Sequence, residues 1–259
     1  NYDLPADIDL SDEKEVALDN EALGLVLGRD PLTLVQIGLK SKNFYLIKLN
    51  RSNYDAPNLK KFLSNPKTEF IMHYARQDLL WLQYHLKVKP KKIFCTKIAS
   101  KIARTASQYH GYKELVKEIC GKDISKKEQQ SDWGNPNLTE KQINYAAQDT
   151  QYLFEIKNKL IEMLEREKRF EIFEKCMNVV PTLVDMEISG FKTTIFEYSI
   201  IAERLRELAY LNKGLEISLS DEREEDGKKD AVVSNQFQKV KFTMGYLHIT
   251  LAWMREWSW

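Results

Sequence analysis

Cysteine is scarce in this 259-residue chain, and the three present, Cys95, Cys120 and Cys176, have neither the number nor the spacing of a disulfide framework or a zinc knuckle. They read as packing residues of a protein kept in a reducing compartment. Net charge is nearly absent: 39 Lys and Arg stand against 38 Asp and Glu, which offers no broad basic footprint for a long nucleic-acid duplex. A nucleic-acid ligand would have to be short or held by local chemistry. Long apolar runs are missing too, since none approaches the roughly 18 residues of a membrane span. The opening residues, Asn1-Tyr2-Asp3-Leu4-Pro5, lack the basic and apolar regions of a signal peptide. The expected location is cytoplasmic, with no membrane partner. Because the chain begins at Asn1 rather than methionine, the completeness of its N-terminus stays open. What is present is length enough for one large domain, or one domain with an appendage.

Glu15 to Glu21, Leu32 to Gly38 and Asn43 to Leu49 read as three successive strands, rich in Val, Ile, Leu and Tyr and separated by Gly, Asp-Pro and Lys-Ser-Lys turn signals. Leu59 to Leu63 suggests a short helix, Glu69 to Met72 a strand, Asp78 to Leu86 a helix and Lys92 to Cys95 a further strand; helices dominate from Thr96 onward. This order predicts an α/β domain with a mixed central sheet flanked by helices. No internal repeat is visible.

Thr139 and Gln142 have the spacing of a capping box, so a helix is expected to start there. Ala146, Asp149, Leu153, Ile156, Leu160 and Met163 then recur at steps of three and four, one face of a helix. Asp149 therefore lies on an apolar stripe. A carboxylate facing an interior is costly unless it is paired, protonated or bound to a cation.

Asp19 and Glu21, two apart on the first strand, project from the same face. They repel one another unless cations neutralise them, and hard oxygen ligands suit Mg²⁺ or Mn²⁺. Asp78 follows a strand ending near His73, and alone it reads equally as an acid favoured at a helix start. Tyr145 stands four residues before Asp149, one helical turn away. Its phenol can hold or deprotonate a water, or simply pack. Each signal is weak alone, but together they supply what phosphodiester hydrolysis by two metals needs: carboxylates that bridge and flank two cations, and a group that orients water.

Val16-Ala17-Leu18-Asp19-Asn20-Glu21-Ala22-Leu23-Gly24-Leu25 with Leu34-Val35-Gln36-Ile37-Gly38 resembles the first motif of the DEDD exonuclease superfamily, and His73-Tyr74-Ala75-Arg76-Gln77-Asp78 resembles the second. Ser131-Asp132-Trp133, leading through Leu138 and Gln142 to Tyr145-Ala146-Ala147-Gln148-Asp149, is similar to the third motif in the tyrosine subclass, to which ribonuclease D belongs. Phe94 to Lys101, Arg104 with His110-Gly111, and Ile124-Ser125-Lys126 are similar to the nanoRNase C family of short bacterial enzymes, a similarity that continues to about Ser199. The resemblance implies a ribonuclease H-like 3'-5' exonuclease fold over residues 1–199, followed by an extension, residues 200–259, of unknown structure and role. It further implies Asp19, Glu21, Asp78 and Asp149 as ligands of two divalent cations, Mg²⁺ or Mn²⁺, and Tyr145 as the residue that orients water. Its implied substrate is short single-stranded RNA, dinucleotides above all, cleaved to nucleoside 5'-monophosphates by a ring-shaped homo-oligomer such as an octamer. Leu25 is then expected to wedge against bases and His73 to lie near the substrate, with Arg104, Gln130 and Ser131 as weaker candidates for the terminal phosphate. Asn20 and Ala22 depart from the threonines usual in the family, and Gln77 from a common aromatic. Asn20, on the opposite strand face, is expected to alter packing more than chemistry.

Two rival readings stay open: trimming of longer RNA or DNA 3' ends in the manner of ribonuclease D, and a nucleic-acid-binding module without catalysis. In the extension, Ile201, Leu205, Leu208 and Leu211 fit an amphipathic helix, and Asp221 to Asp230 is a charge run. Val240, Phe242, Met244 and Tyr246 alternate like a strand, before Trp253, Trp257 and Trp259.

Overall fold

A computed structural model describes residues 2–125, 128, 131–190, 215–221, 237–244 and 247–254. The chain divides into two compact units, Asn1–Phe191 and Lys192–Trp259. The first is built around β1 (Glu15–Ala22), whose Val16, Ala17 and Leu18 are fully buried. It pairs antiparallel with β2 (Leu32–Gly38) and parallel with β4 (Glu69–Met72). β3 (Phe44–Lys48) and β5 (Lys92–Cys95) complete the sheet in the order β3-β2-β1-β4-β5. The three-strand meander and the two parallel strands reached through helices make the sheet mixed, as their sequence order predicts. Each fully buried aliphatic side chain adds about 1.5–3 kcal/mol relative to exposure.

Helix α1 (Pro57–Leu63) starts with proline, whose missing N–H is tolerated in the first turn. Helix α2 (Ala75–Trp81) begins earlier than the apolar pattern suggests and continues as a π-helical turn, Leu82–Leu86, so Asp78 lies within its first turn. Then follow α3 (Thr96–Ala103), α4 (Tyr112–Cys120), α5 (Glu140–Gln151), α6 (Leu153–Arg166) and α7 (Phe170–Gly190). The capping box at Thr139 and Gln142 is formed with both hydrogen bonds. The stripe from Ala146 to Met163, however, belongs to two helices. At Tyr152 the backbone leaves helical geometry (φ −101°, ψ 0°), and its N–H donates to the Tyr112 hydroxyl at 3.3 Å. Leu153, Ile156 and Leu160 remain buried, while Met163 is only half-buried and Leu164 fills the core instead.

At the start of the sheet, Glu15 and Glu69 are direct neighbours on β1 and β4. Lys157 of α6, buried, donates to both, at 2.5 Å to Glu15, and Lys40 also pairs with Glu15. Cys95 and Cys176 are buried, Cys120 is half-buried, and all three are free thiols. Among the described residues no helix is long and apolar enough to cross a membrane.

In the second unit, β6 (Leu215–Asp221), β7 (Phe237–Met244) and β8 (Leu247–Met254) form an antiparallel sheet in the order β6-β8-β7. The expected alternation lies on β7 as far as Met244, and Trp253 lies on β8. The helix expected at Ile201 to Leu211, most of the charge run, Tyr246, Trp257 and Trp259 lie outside the described residues.

Candidate active site

Strand alternation sends Asp19 and Glu21 to one face near the C-terminal end of β1, and α5 brings Asp149 over that face. One carboxylate oxygen from each of these three lies within 4.8 Å of the others. Asp78 joins them from α2 through a hydrogen bond to Asp19. No lysine or arginine among the described residues forms an ion pair with any of the four.

The four carboxylates are closely surrounded by protein atoms, although Asp19, Glu21 and Asp149 keep part of their surface accessible. Burial therefore penalises the charged forms. It raises Asp19 to about 7; the hydrogen bond from Asp78 partly offsets this. Burial and the neighbouring Asp19 raise Asp149 to about 8 and, together with Asp149, raise Glu21 to about 9. Asp78 is pushed well above the carboxylate range by burial and by Asp19. Without cations such a cluster must retain protons. The donor set, hard oxygens gathered at close range with no basic side chain among them, fits divalent Mg²⁺ or Mn²⁺.

Tyr145 donates its hydroxyl to Asp149, one turn along α5. Its ring lies 5.9 Å from Trp133, in a cluster with Leu34, Ala146 and Leu138. Burial first, and then Asp149, Glu21 and Asp19, raise its pKa far above the usual tyrosine value, so the phenol keeps its proton. Such a group can orient a water through hydrogen bonding.

Leu25 is 83% exposed on the loop after β1. The loop is folded around the buried Asp30 carboxylate, which accepts from the backbone N–H groups of Val26, at 2.9 Å, and Leu25, and pairs with Arg29. A Cβ at position 24 would fall 2.1 Å from that carboxylate, which explains Gly24. His73, at the end of β4, is half-buried; its Nδ1 is 3.0 Å from the Thr96 hydroxyl and its ring 5.6 Å from that of Tyr112. Tyr112 in turn donates to the backbone oxygen of Gln148, beside Asp149, at 2.7 Å. Arg104 sits at the end of α3, where its guanidinium holds Ser100, Ser107, the Tyr109 carbonyl and Glu118. Ser131 accepts from Gln142 at 3.1 Å and is thereby tied to the start of α5. Gln130 lies outside the described residues.

Sequence reasoning passed over three residues. Tyr112 links His73 to α5 through contacts distant in sequence. Trp133 is buried beside Tyr145, and its indole N–H has no hydrogen-bond partner among the described residues. Gln36 is fully buried opposite Asp19 on β2; its spacing of two from Leu34 and from Gly38 was the available signal. Asn20 donates to the Asp78 carbonyl at 3.2 Å, so this departure from the family pattern ties the strand carrying the first acids to the helix carrying the second.

The profile of the 3'-5' exonuclease family matches residues 8–165. The structure is similar to Brucella melitensis NrnC, at 37% identity and a TM-score of 0.70 over 76% of this chain and 96% of that one. That protein is also known bound to pGG and with bound Mg²⁺. Ribonuclease D of Xanthomonas oryzae pv. oryzae is 35% identical over 111 residues, 43% of this chain and 30% of that protein. Ribonuclease D of Gluconacetobacter diazotrophicus is 38% identical over 109 residues, 42% of this chain and 28% of that protein. The match thus spans under a third of the length of these two curated relatives.

Proposed function

Because this chain belongs to the 3'-5' exonuclease family of the ribonuclease D superfamily and has its ribonuclease H-like fold, we propose that it hydrolyses short oligoribonucleotides, dinucleotides above all, from the 3' end to nucleoside 5'-monophosphates. The observation that carries this reading is the gathering of Asp19, Glu21 and Asp149 oxygens within 4.8 Å, without an ion-pairing lysine or arginine among the described residues, beside the Tyr145 hydroxyl. The short substrate is favoured by the similarity to NrnC, which has been seen with pGG, and by a charge balance that provides no long basic track.

In this reading Asp19, Glu21, Asp78 and Asp149 hold two divalent cations, Mg²⁺ or Mn²⁺. When bound, these supply activation of the attacking water and charge neutralisation at the departing 3' oxygen. Tyr145, fixed by Asp149 and packed beside Trp133, orients that water by accepting a hydrogen bond from it. Leu25 offers an apolar edge to a base, and His73 lines the substrate's path. Arg104, Gln130 and Ser131 take the terminal phosphate, Arg104 by exchanging the exposed Glu118 for it. The exonuclease domain covers residues 1–199 and is followed by an extension over residues 200–259, and the active form is a cytoplasmic ring of identical subunits.

The test is a time course with 5'-labelled RNAs of two, three and seven nucleotides, with Mg²⁺, with Mn²⁺ and with chelator, beside the Asp149→Ala protein. Rapid, metal-dependent loss of the dinucleotide with slow attack on the heptamer is expected. Comparable or faster trimming of the heptamer would instead identify a general 3'-end exonuclease.

A further inference from the structure

Leu34, Gln36 and Gly38 alternate onto the face of β2 that α5 covers. Leu34 packs with Trp133 and Ala146, and a Cβ on Gly38 would meet the Thr150 hydroxyl at 2.8 Å. Both positions are close-packed against side chains. Between them stands an amide, fully buried, directly across from Asp19 in the strand pairing. Neither Nε2 nor Oε1 of Gln36 completes a hydrogen bond of good geometry with a described residue. Glu21 stands across from Leu34, the next residue along on that face of β2, so the amide lies diagonally beside the Glu21 side chain as well. An unpartnered buried amide weakens a fold, and an apolar side chain between Leu34 and Gly38 would satisfy the same space at no such cost. The reason for an amide at this position therefore lies with the carboxylates.

We propose that Gln36, unpaired in the metal-free protein, is a positioning residue that holds the Glu21 carboxylate by donation from Nε2 once Glu21 shares a divalent cation with Asp19 and Asp149. This rests on the reading of those carboxylates as cation ligands. An amide suits the task because it is a neutral donor. It fixes one carboxylate oxygen and leaves the other free, whereas a lysine in its place would neutralise the cluster and take the cation's position. Partners of this outer kind orient a ligand and raise metal affinity without touching the metal.

The experiment measures Mn²⁺ binding to the full chain by the paramagnetic resonance signal of free Mn²⁺, with the thermal midpoint of the metal-free protein alongside. Four proteins are compared: the unaltered chain, Gln36→Met, Glu21→Ala and the double variant. Gln36→Met is expected to weaken Mn²⁺ binding about tenfold or more, the usual cost of losing such a partner. Its metal-free midpoint is expected to stay the same or rise, because a buried unpaired amide has been removed. In the Glu21→Ala background the same substitution is expected to change Mn²⁺ affinity no further. Unaltered affinity in Gln36→Met overturns the proposal, as does an equal weakening in both backgrounds, which would mark Gln36 as general packing. Absence of Mn²⁺ binding by the unaltered chain overturns the parent reading as well, and that outcome is recognisable before any variant is measured.

Discussion

The two ends of β1 each gather carboxylates, and the molecule treats them in opposite ways. At the start of the strand, Glu15 and Glu69 stand side by side, and the protein supplies its own cation, the buried Lys157, with Lys40 beyond. At the far end, Asp19, Glu21, Asp78 and Asp149 converge and no basic side chain among the described residues pairs with them. The first group is internally neutralised, and Glu15 is held below its ordinary value, its lysine partners outweighing burial. The second is pushed in the other direction by burial and mutual repulsion. A charge-compensated cluster is architecture, whereas an uncompensated one stores repulsion that an external cation can relieve.

Removing a carboxylate should therefore have different consequences at the two ends. Asp149→Ala or Asp19→Ala is expected to lower kcat/KM on a dinucleotide by at least about a thousandfold, since the positioned charge is worth several kcal/mol and each 1.36 kcal/mol is tenfold. The same variants should unfold at an equal or higher temperature than the parent when no metal is present. Circular dichroism melts alongside initial rates check both parts; a large loss of metal-free stability would mean that these acids serve the fold. Lys157→Ala should do the reverse, costing about 3 kcal/mol of stability, the low end for a broken buried pair because Glu15 and Glu69 are partly exposed. Denaturant titration would measure this, and restoration by the triple change Lys157→Met, Glu15→Gln, Glu69→Gln would attribute it to the unpaired charges.

The contrast sharpens with pH. Groups whose folded pKa is raised contribute stability that is present at low pH and lost as pH rises through the folded value. For Asp19, Asp149 and Glu21 that loss starts at their ordinary values, 3.8 for the aspartates and 4.5 for Glu21, and is complete only at about 7, 8 and 9. The metal-free protein is thus expected to lose thermal stability progressively from about pH 4 to about pH 9, and Mg²⁺ to stabilise it more at pH 9 than at pH 6. A shift from Mg²⁺ that is the same at both pH values would separate cation binding from these acids.

Much of this arrangement was legible before any coordinates. Strand periodicity placed Asp19 and Glu21 on one face, and the apolar stripe turned Asp149 inward, because both follow from local geometry. The capping box at Thr139 and Gln142 was readable for the same reason: its partners are three residues apart. Local rules do not report distant partners. The break at Tyr152 depends on a hydroxyl 40 residues earlier in the chain, and Lys157 meets Glu15 across 142 residues. The placing of Gln36 across from Asp19 has no such local signature, since it depends on which strands the sheet brings together.

The loop at the cation-poor end gives the smallest effect. Leu25, 83% exposed, contributes little to the core of the folded chain, and in the proposed reading it meets a base of the substrate. Leu25→Ala is expected to raise KM for a dinucleotide about tenfold with little change in kcat, the pattern of lost ground-state and transition-state binding alike. Asp30 never reaches a substrate in this reading, yet its carboxylate holds the backbone of Leu25 and Val26 in place. Asp30→Ala should therefore raise KM only a few-fold, in the same direction, and add almost nothing to Leu25→Ala in the double variant, because both act through one contact. Additive effects would show instead that Asp30 acts on the acid cluster itself, through the end of β1, and the loop's apolar edge would lose its assigned part in substrate binding.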